Sequence, residues 1–175
     1  IPVDFHPKYK NKRAFEIVLT TLHAGGKFSD NAYKTSGGLH GVGISVVNAL
    51  SEKLKVKIYN KSQSYSQIYE RGKSKGKIVI EKCNKILRGT EISFIPDKEI
   101  FESIIFSPKK LYSFIKMKAV LVKGTKISFS IDKSLINDNT PNYENFLYPK
   151  GIVDFFQENY SKRSRITKNN FHCIF

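Results

Sequence analysis

Apolar residues in the first part of the chain recur with the period of a helix. Phe15, Val18, Leu19 and Leu22 fall at i, i+3, i+4 and i+7, which predicts one apolar stripe on a helix over residues 13–23. Gly25-Gly26 closes it. A second apolar run, Ile44 to Leu50, also reads as helix. From Leu54 the period drops to two: Leu54, Val56 and Ile58 alternate with lysines, as a half-buried strand does. Residues 61–64 are expected to turn, and 65–70, 77–81 and 90–95 to form three further strands, the last ended by Pro96-Asp97. Ser107-Pro108 starts a helix, serine as N-cap and proline in the first turn, that runs to about Val122 and stops at Gly124. Residues 125–131 alternate again, 137–145 have the composition of a surface loop, and 152–160 suit a short helix. Hairpin-like strands with interspersed helices predict the α+β class, a two-layer sandwich with helices on one face of a mostly antiparallel sheet.

Between the two first helices lies the densest cluster of glycines in the chain. Gly37, Gly38, Gly41 and Gly43 run directly into Ile44–Leu50. Glycine reaches positive φ without a Cβ penalty, so consecutive N–H groups can turn toward one point at the start of the helix, where the dipole favours an anion. The stretch reads as a phosphate cradle; a flexible turn before a buried helix has the same composition, and spacing alone leaves both open. The order Gly38-x-x-Gly41-x-Gly43 is the reverse of the Rossmann fingerprint, and no strand pattern precedes it. Gly72-Lys73-Ser74 has Gln67 where a P-loop needs its first glycine. A nucleotide would sit in another fold.

Composition narrows the class. At 175 residues and 20.0 kDa, with 40% hydrophobic and 13% aromatic content, the chain can bury a core and is expected to form one domain. No apolar run approaches the ~18 residues of a membrane span. Cys83 and Cys173 have no metal-ligand spacing, which fits a reduced cytoplasmic setting. The net charge of +15 invites a nucleic-acid partner. Only Arg13, Arg71, Arg88, Arg163 and Arg165 among the 30 basic residues are arginines. Scattered lysines are more often solvated surface than phosphate forks, so a basic, non-catalytic nucleic-acid-binding module stands as the rival reading. Met117 is the single methionine and the chain opens Ile1-Pro2-Val3-Asp4, so it is expected to be an excerpt of a longer polypeptide.

Four stretches carry a resemblance: Ile1-Pro2-Val3-Asp4, Leu22-His23-Ala24-Gly25-Gly26-Lys27-Phe28, Ser36 through Ser51, and Gly89-Thr90. In this order and spacing the chain resembles the ATPase subunit of bacterial type IIA DNA topoisomerases, of the GHKL class. Over 106–161 it is more similar to the topoisomerase IV branch than to the gyrase branch. The resemblance implies a mixed, mostly antiparallel Bergerat sheet, N-terminally truncated. It also implies a partial GHKL ATPase domain over 1–160 and the start of the transducer connection over 161–175.

By the same resemblance Ile1 and Pro2 end the adenine-pocket motif, Val18 forms its apolar wall, and Thr90 joins the adenine hydrogen bonds. Lys27 would reach the phosphates and Tyr33 would contact the nucleoside or phosphate side. Gly38, Leu39, His40, Gly41, Val42 and Gly43 would donate N–H groups to the phosphates. The cofactors implied are ATP and Mg2+. The partners implied are DNA, the DNA-cleaving topoisomerase subunit and a second copy of this one joined on ATP binding, with no membrane. The family's general-base Glu, magnesium-binding Asn and adenine-binding Asp match no position here, so no catalytic or metal-ligating residue is expected in this stretch and the 175 residues alone are expected not to hydrolyse ATP. Glu16, set among apolar helix residues, is expected to be an ion-pair or surface residue, not the base.

Overall fold

The alternation that begins at Leu54 organises the first of two compact units, Ile1–Ile104; the second begins at Ile105. The computed structural model describes residues 1–9, 11–24 and 40–160. In the first unit helix α1 spans Ala14–Thr20, helix α2 Gly43–Ala49, strand β1 Ser51–Glu70 and strand β2 Lys73–Pro96. The strands pair antiparallel, with Leu54 opposite Phe94, Val56 opposite Ile92 and Ile58 opposite Thr90. Leu54, Val56 and Ile58 are buried while Lys53 and Lys55 face solvent, as the alternation predicts.

The turn expected at 61–64 is not a break between strands, because β1 is continuous through it. A straight strand of 20 residues would span about 65 Å. Arg71 N nevertheless donates to Ser51 O at 2.9 Å, so the strand doubles back on itself. The reversal falls at Lys61, whose φ is 59°, where the register jumps from Lys61–Leu87 to Gln63–Lys82. β2 folds back as well: the turn at Gly72 packs on Ala49, and Asp97 N donates to Leu50 O at 3.0 Å. The four expected alternating runs survive as the limbs of two bent strands.

α1 is shorter than its expected 13–23 span, since Thr21 is already extended and His23 has a φ of 58°. Phe15 and Leu19 join Val3, Leu54, Val56, Ile58, Tyr65 and Tyr69 in the core, with Ile44 and Val47 of α2 against it. Ile17 is buried too, whereas Val18 is half-buried and Leu22 is exposed. A seven-residue helix packed on more than one side does not keep the single stripe that periodicity predicts. Asn48 of α2 donates Nδ2 to Leu19 O at 2.9 Å, satisfying a carbonyl that the end of α1 leaves open. Glu16 accepts Arg13 N at 2.7 Å at the start of α1, so its carboxylate caps the helix.

In the second unit α3 (Pro108–Leu121) starts where the serine–proline signal places it, and Ser107 Oγ accepts from Lys110 N at 3.4 Å. Strands β3 (Ile127–Ser130) and β4 (Tyr143–Phe146) pair antiparallel, Ile127 opposite Phe146. β4 corrects the loop expected over 137–145: its Asn-rich composition says loop, but Phe146 is buried in the cluster of Ala119, Val120, Phe129 and Tyr148 and draws Tyr143–Phe146 into a ladder. α4 is Ile152–Tyr160, as expected. The α+β class holds, with two two-stranded antiparallel sheets among the described residues. Among these residues no helix is long and apolar enough to cross a membrane. The boundary after Ile104 falls inside the expected 1–160 domain, and residues 161–175 lie outside the described residues.

Candidate functional site

The end of the glycine stretch forms a turn onto α2. Gly41 has a φ of 63°, and Val42, at φ −112° and ψ −9°, occupies the N-cap position with no side-chain hydrogen bond to the helix start. Serine, threonine, aspartate or asparagine at this place would fill the first amides with a side-chain oxygen; valine has none to offer. Ser45, in the first turn, gives its hydroxyl proton to Val42 O at 2.9 Å and so turns away from that task. Gly43 is exposed, and a Cβ built on it would meet nothing within 4 Å. Among the described residues the helix start is thus bare of side-chain caps, with open space beside Gly43. His40 is exposed, and its carbonyl lies 2.9 Å from Nδ1 of His23.

A second group of predicted residues meets at the start of the chain. Ile1 N lies 3.2 Å from Thr90 Oγ1, which joins two residues 89 positions apart that the resemblance assigns to one adenine pocket. Thr90 sits opposite the buried Ile58 in the ladder and is itself exposed. Pro2 is exposed next to buried Val3, whose carbonyl accepts Arg13 Nη1 at 2.7 Å. Lys27, Tyr33, Gly38 and Leu39 lie outside the described residues.

Sequence reasoning did not single out Asn48 or His23 as individual residues. Asn48 is fully buried with its Oδ1 unpartnered, and the signal for it was a lone amide in a short, mostly apolar helix. Nor did it find the ion network at the β1–β2 turn. Asp97 is buried; Arg71 Nε lies 2.5 Å from Asp97 Oδ2, and Arg71 Nη2 lies 2.5 Å from Glu99 Oε1. The Glu99 amide and then the Arg71 guanidinium hold the Asp97 carboxyl below the ordinary carboxylate range. A cavity of about 490 Å3 beside it is lined by Glu52, Lys53, Glu70, Arg71, Lys98 and Glu99. Its mixed charge suits no single-sign ligand, and it contains none of the predicted site residues. Among the described residues no cluster of His, Cys, Asp or Glu has the composition of a metal site.

The fold and the glycine turn together define a class. The structure superimposes on the 43K ATPase domain of Thermus thermophilus gyrase B, solved in complex with an aminocoumarin, with a TM-score of 0.72 at 29% identity, over 96% of this chain and 40% of that one. The chain therefore has the GHKL ATPase fold. No family model matches it. The B subunit of DNA topoisomerase 4 from Rickettsia conorii is 46% identical over 171 residues, 97% of this chain. Its counterpart from Caulobacter vibrioides is 46% identical over 172 residues, and the B subunit of DNA gyrase from Thermotoga maritima 46% over 156 residues. The chain is a homologue of bacterial type II DNA topoisomerase B subunits and matches their ATPase-domain region. It spans about a quarter of the length of these relatives.

Proposed function

We propose that the chain is the nucleotide-binding part of an ATP-hydrolysing type II topoisomerase subunit, with the glycine stretch Gly38–Gly43 holding the phosphates of ATP. The observation that carries this reading is the uncapped start of α2 behind a left-handed glycine, with open space over Gly43. Backbone N–H groups in such a turn give a fixed array of donors that needs no reorganisation when charge arrives. Val42 adds no oxygen to compete with a phosphate. Ile1, Pro2 and Thr90 would hold the adenine end, with Val18 as a half-buried apolar wall; the contact between Ile1 and Thr90 supports grouping them. Lys27, Tyr33, Gly38 and Leu39 complete the proposed site.

Magnesium, when bound with ATP, would offset charge on the phosphates. Among the described residues no group of three or more His, Cys, Asp or Glu is placed to hold it. This chain's own part is positioning: the turn orients the triphosphate and excludes competing side-chain caps. In the full-length protein nucleotide binding would drive pairing with a second copy. Together with the DNA-cleaving topoisomerase subunit, that pairing would pass one DNA duplex through another in the cytoplasm. The topoisomerase IV branch is favoured because those relatives match over 97–98% of the chain and the gyrase relative over 89%. Reconstituted with its DNA-cleaving partner, the intact enzyme should decatenate and relax DNA without introducing negative supercoils; supercoiling activity would place it with gyrase.

The phosphate site is tested by Gly41→Val in the full-length protein. At φ 63° a side chain costs roughly 1–2 kcal/mol, and β-branching adds to it. The turn should move and affinity for a non-hydrolysable ATP analogue should fall by more than about tenfold, while the unliganded protein stays folded with a melting midpoint lowered by only several degrees. Unchanged analogue binding by calorimetry would sink the assignment.

A further inference from the structure

We propose that His23 is a positioning residue for the phosphate turn, its ring holding the His40–Gly41 peptide so that the Gly41 N–H points into the proposed site. The inference rests on the phosphate reading of that turn and adds to it the residue that sets its geometry. His23 Nδ1 lies 2.9 Å from His40 O. A carbonyl oxygen only accepts, so Nδ1 carries the proton and donates. The peptide between residues 40 and 41 is trans and planar, which sets its carbonyl and the following N–H antiparallel. Drawing the carbonyl toward His23 therefore directs the Gly41 N–H away from His23. That amide belongs to the glycine with φ 63° and immediately precedes the uncapped start of α2.

The backbone at His23 is shaped for this contact. α1 ends at Thr20, Thr21 is extended, and His23 has a φ of 58°, a left-handed conformation that few side chains other than Asn, Asp and His adopt readily. The bond spans 17 positions and joins the chain leaving α1 to the chain entering α2. Asn48, whose amide holds Leu19 O at 2.9 Å, ties the same two helices together from the buried side. The ring of His23 thus works against a framework that is fixed elsewhere, and a change there should act on the turn without opening the core.

The experiment uses the full-length protein with His23→Ala, His23→Asn and, as reference, Gly41→Val. The probes are a non-hydrolysable ATP analogue, which engages the phosphate turn, and adenosine, which does not. His23→Ala should weaken the analogue by about tenfold, the scale of one lost hydrogen bond to a binding group, leave adenosine affinity in place, and lower the unliganded melting midpoint by no more than the few degrees that alanine at a left-handed position costs. Asparagine tolerates the left-handed backbone and carries an amide N–H close to the Nδ1 position, so His23→Asn should recover most of the affinity. Wild-type analogue binding in His23→Ala overturns the proposal. So does an equal loss of adenosine affinity and thermal stability, or a His23→Asn no better than alanine. If Gly41→Val loses analogue binding while His23→Ala does not, only the role of His23 falls. If Gly41→Val also binds normally, the phosphate site itself is wrong.

Discussion

Asp97 shows at the residue scale how a charge is kept inside this fold. It is 1% exposed, yet Glu99 N donates to Oδ1 at 3.0 Å and Arg71 reaches both oxygens. These donors favour the carboxylate, so its folded pKa lies below the value near 3.9 expected of an unfolded aspartate. A depressed folded pKa stabilises the protein above the unfolded value, and the contribution is lost as pH falls through the folded one. The melting midpoint should therefore drop on acidification below about pH 4, and Asp97→Asn should flatten that part of the profile; superimposable profiles would refute the assignment. Gly151 gives a second prediction. Its φ is 63°, and a Cβ there would stand 3.1 Å from Val120 O. Gly151→Ala should destabilise by about 1–2 kcal/mol or more, read by denaturant unfolding. Neither effect was visible beforehand: Asp97 needed Arg71, 26 positions away, and Gly151 needed the end of α3. The left-handed Gly41 ahead of α2 was visible, because φ preference belongs to the residue itself.

Among the elements, signals confined to one turn of chain were the dependable ones. Ser107-Pro108 marked the start of α3, and the apolar pattern of 152–160 marked α4. The Ser107 cap is long at 3.4 Å and exposed, so Ser107→Ala should cost toward the low end of the usual range, about 0.5–1 kcal/mol by chemical denaturation. Elements decided by partners were less legible. Tyr143–Phe146 has loop composition but finds β3, and Val18 keeps helical spacing but loses burial to Ile17. The doubling back of β1 was legible as a turn; the continuity of the strand through it, with a register jump in the ladder at Lys61, was not, since pairing resumes wherever the facing limb supplies partners.

At the scale of the molecule, apolar surface and charge point in different directions. β2 presents exposed Val79, Ile80, Ile86, Leu87, Ile92 and Ile95, a concentration that favours association of the 175-residue chain. Ile86→Lys with Ile92→Thr should lower light scattering of the purified chain without lowering its melting midpoint; scattering that does not change would place the association elsewhere. The charge of +15 should give DNA attraction that is blind to sequence and steep in salt, with a log–log slope of about −0.9 for each phosphate neutralised. Tight, selective binding that survives high salt would instead favour a dedicated nucleic-acid site. What the sequence determined by itself is the local text: the glycine turn, the change of period from helix to strand, the serine–proline start, and through them the GHKL resemblance that the fold bears out. Such signals act over a few residues, through φ preference and side-chain spacing, and need no partner. Only the tertiary structure decided that Ile1 meets Thr90, that Arg71 neutralises Asp97, that Asn48 closes the end of α1 and that His23 holds His40. Each of these joins residues 17 to 89 positions apart. Their meeting depends on how the strands double back and the helices pack, which no local preference encodes.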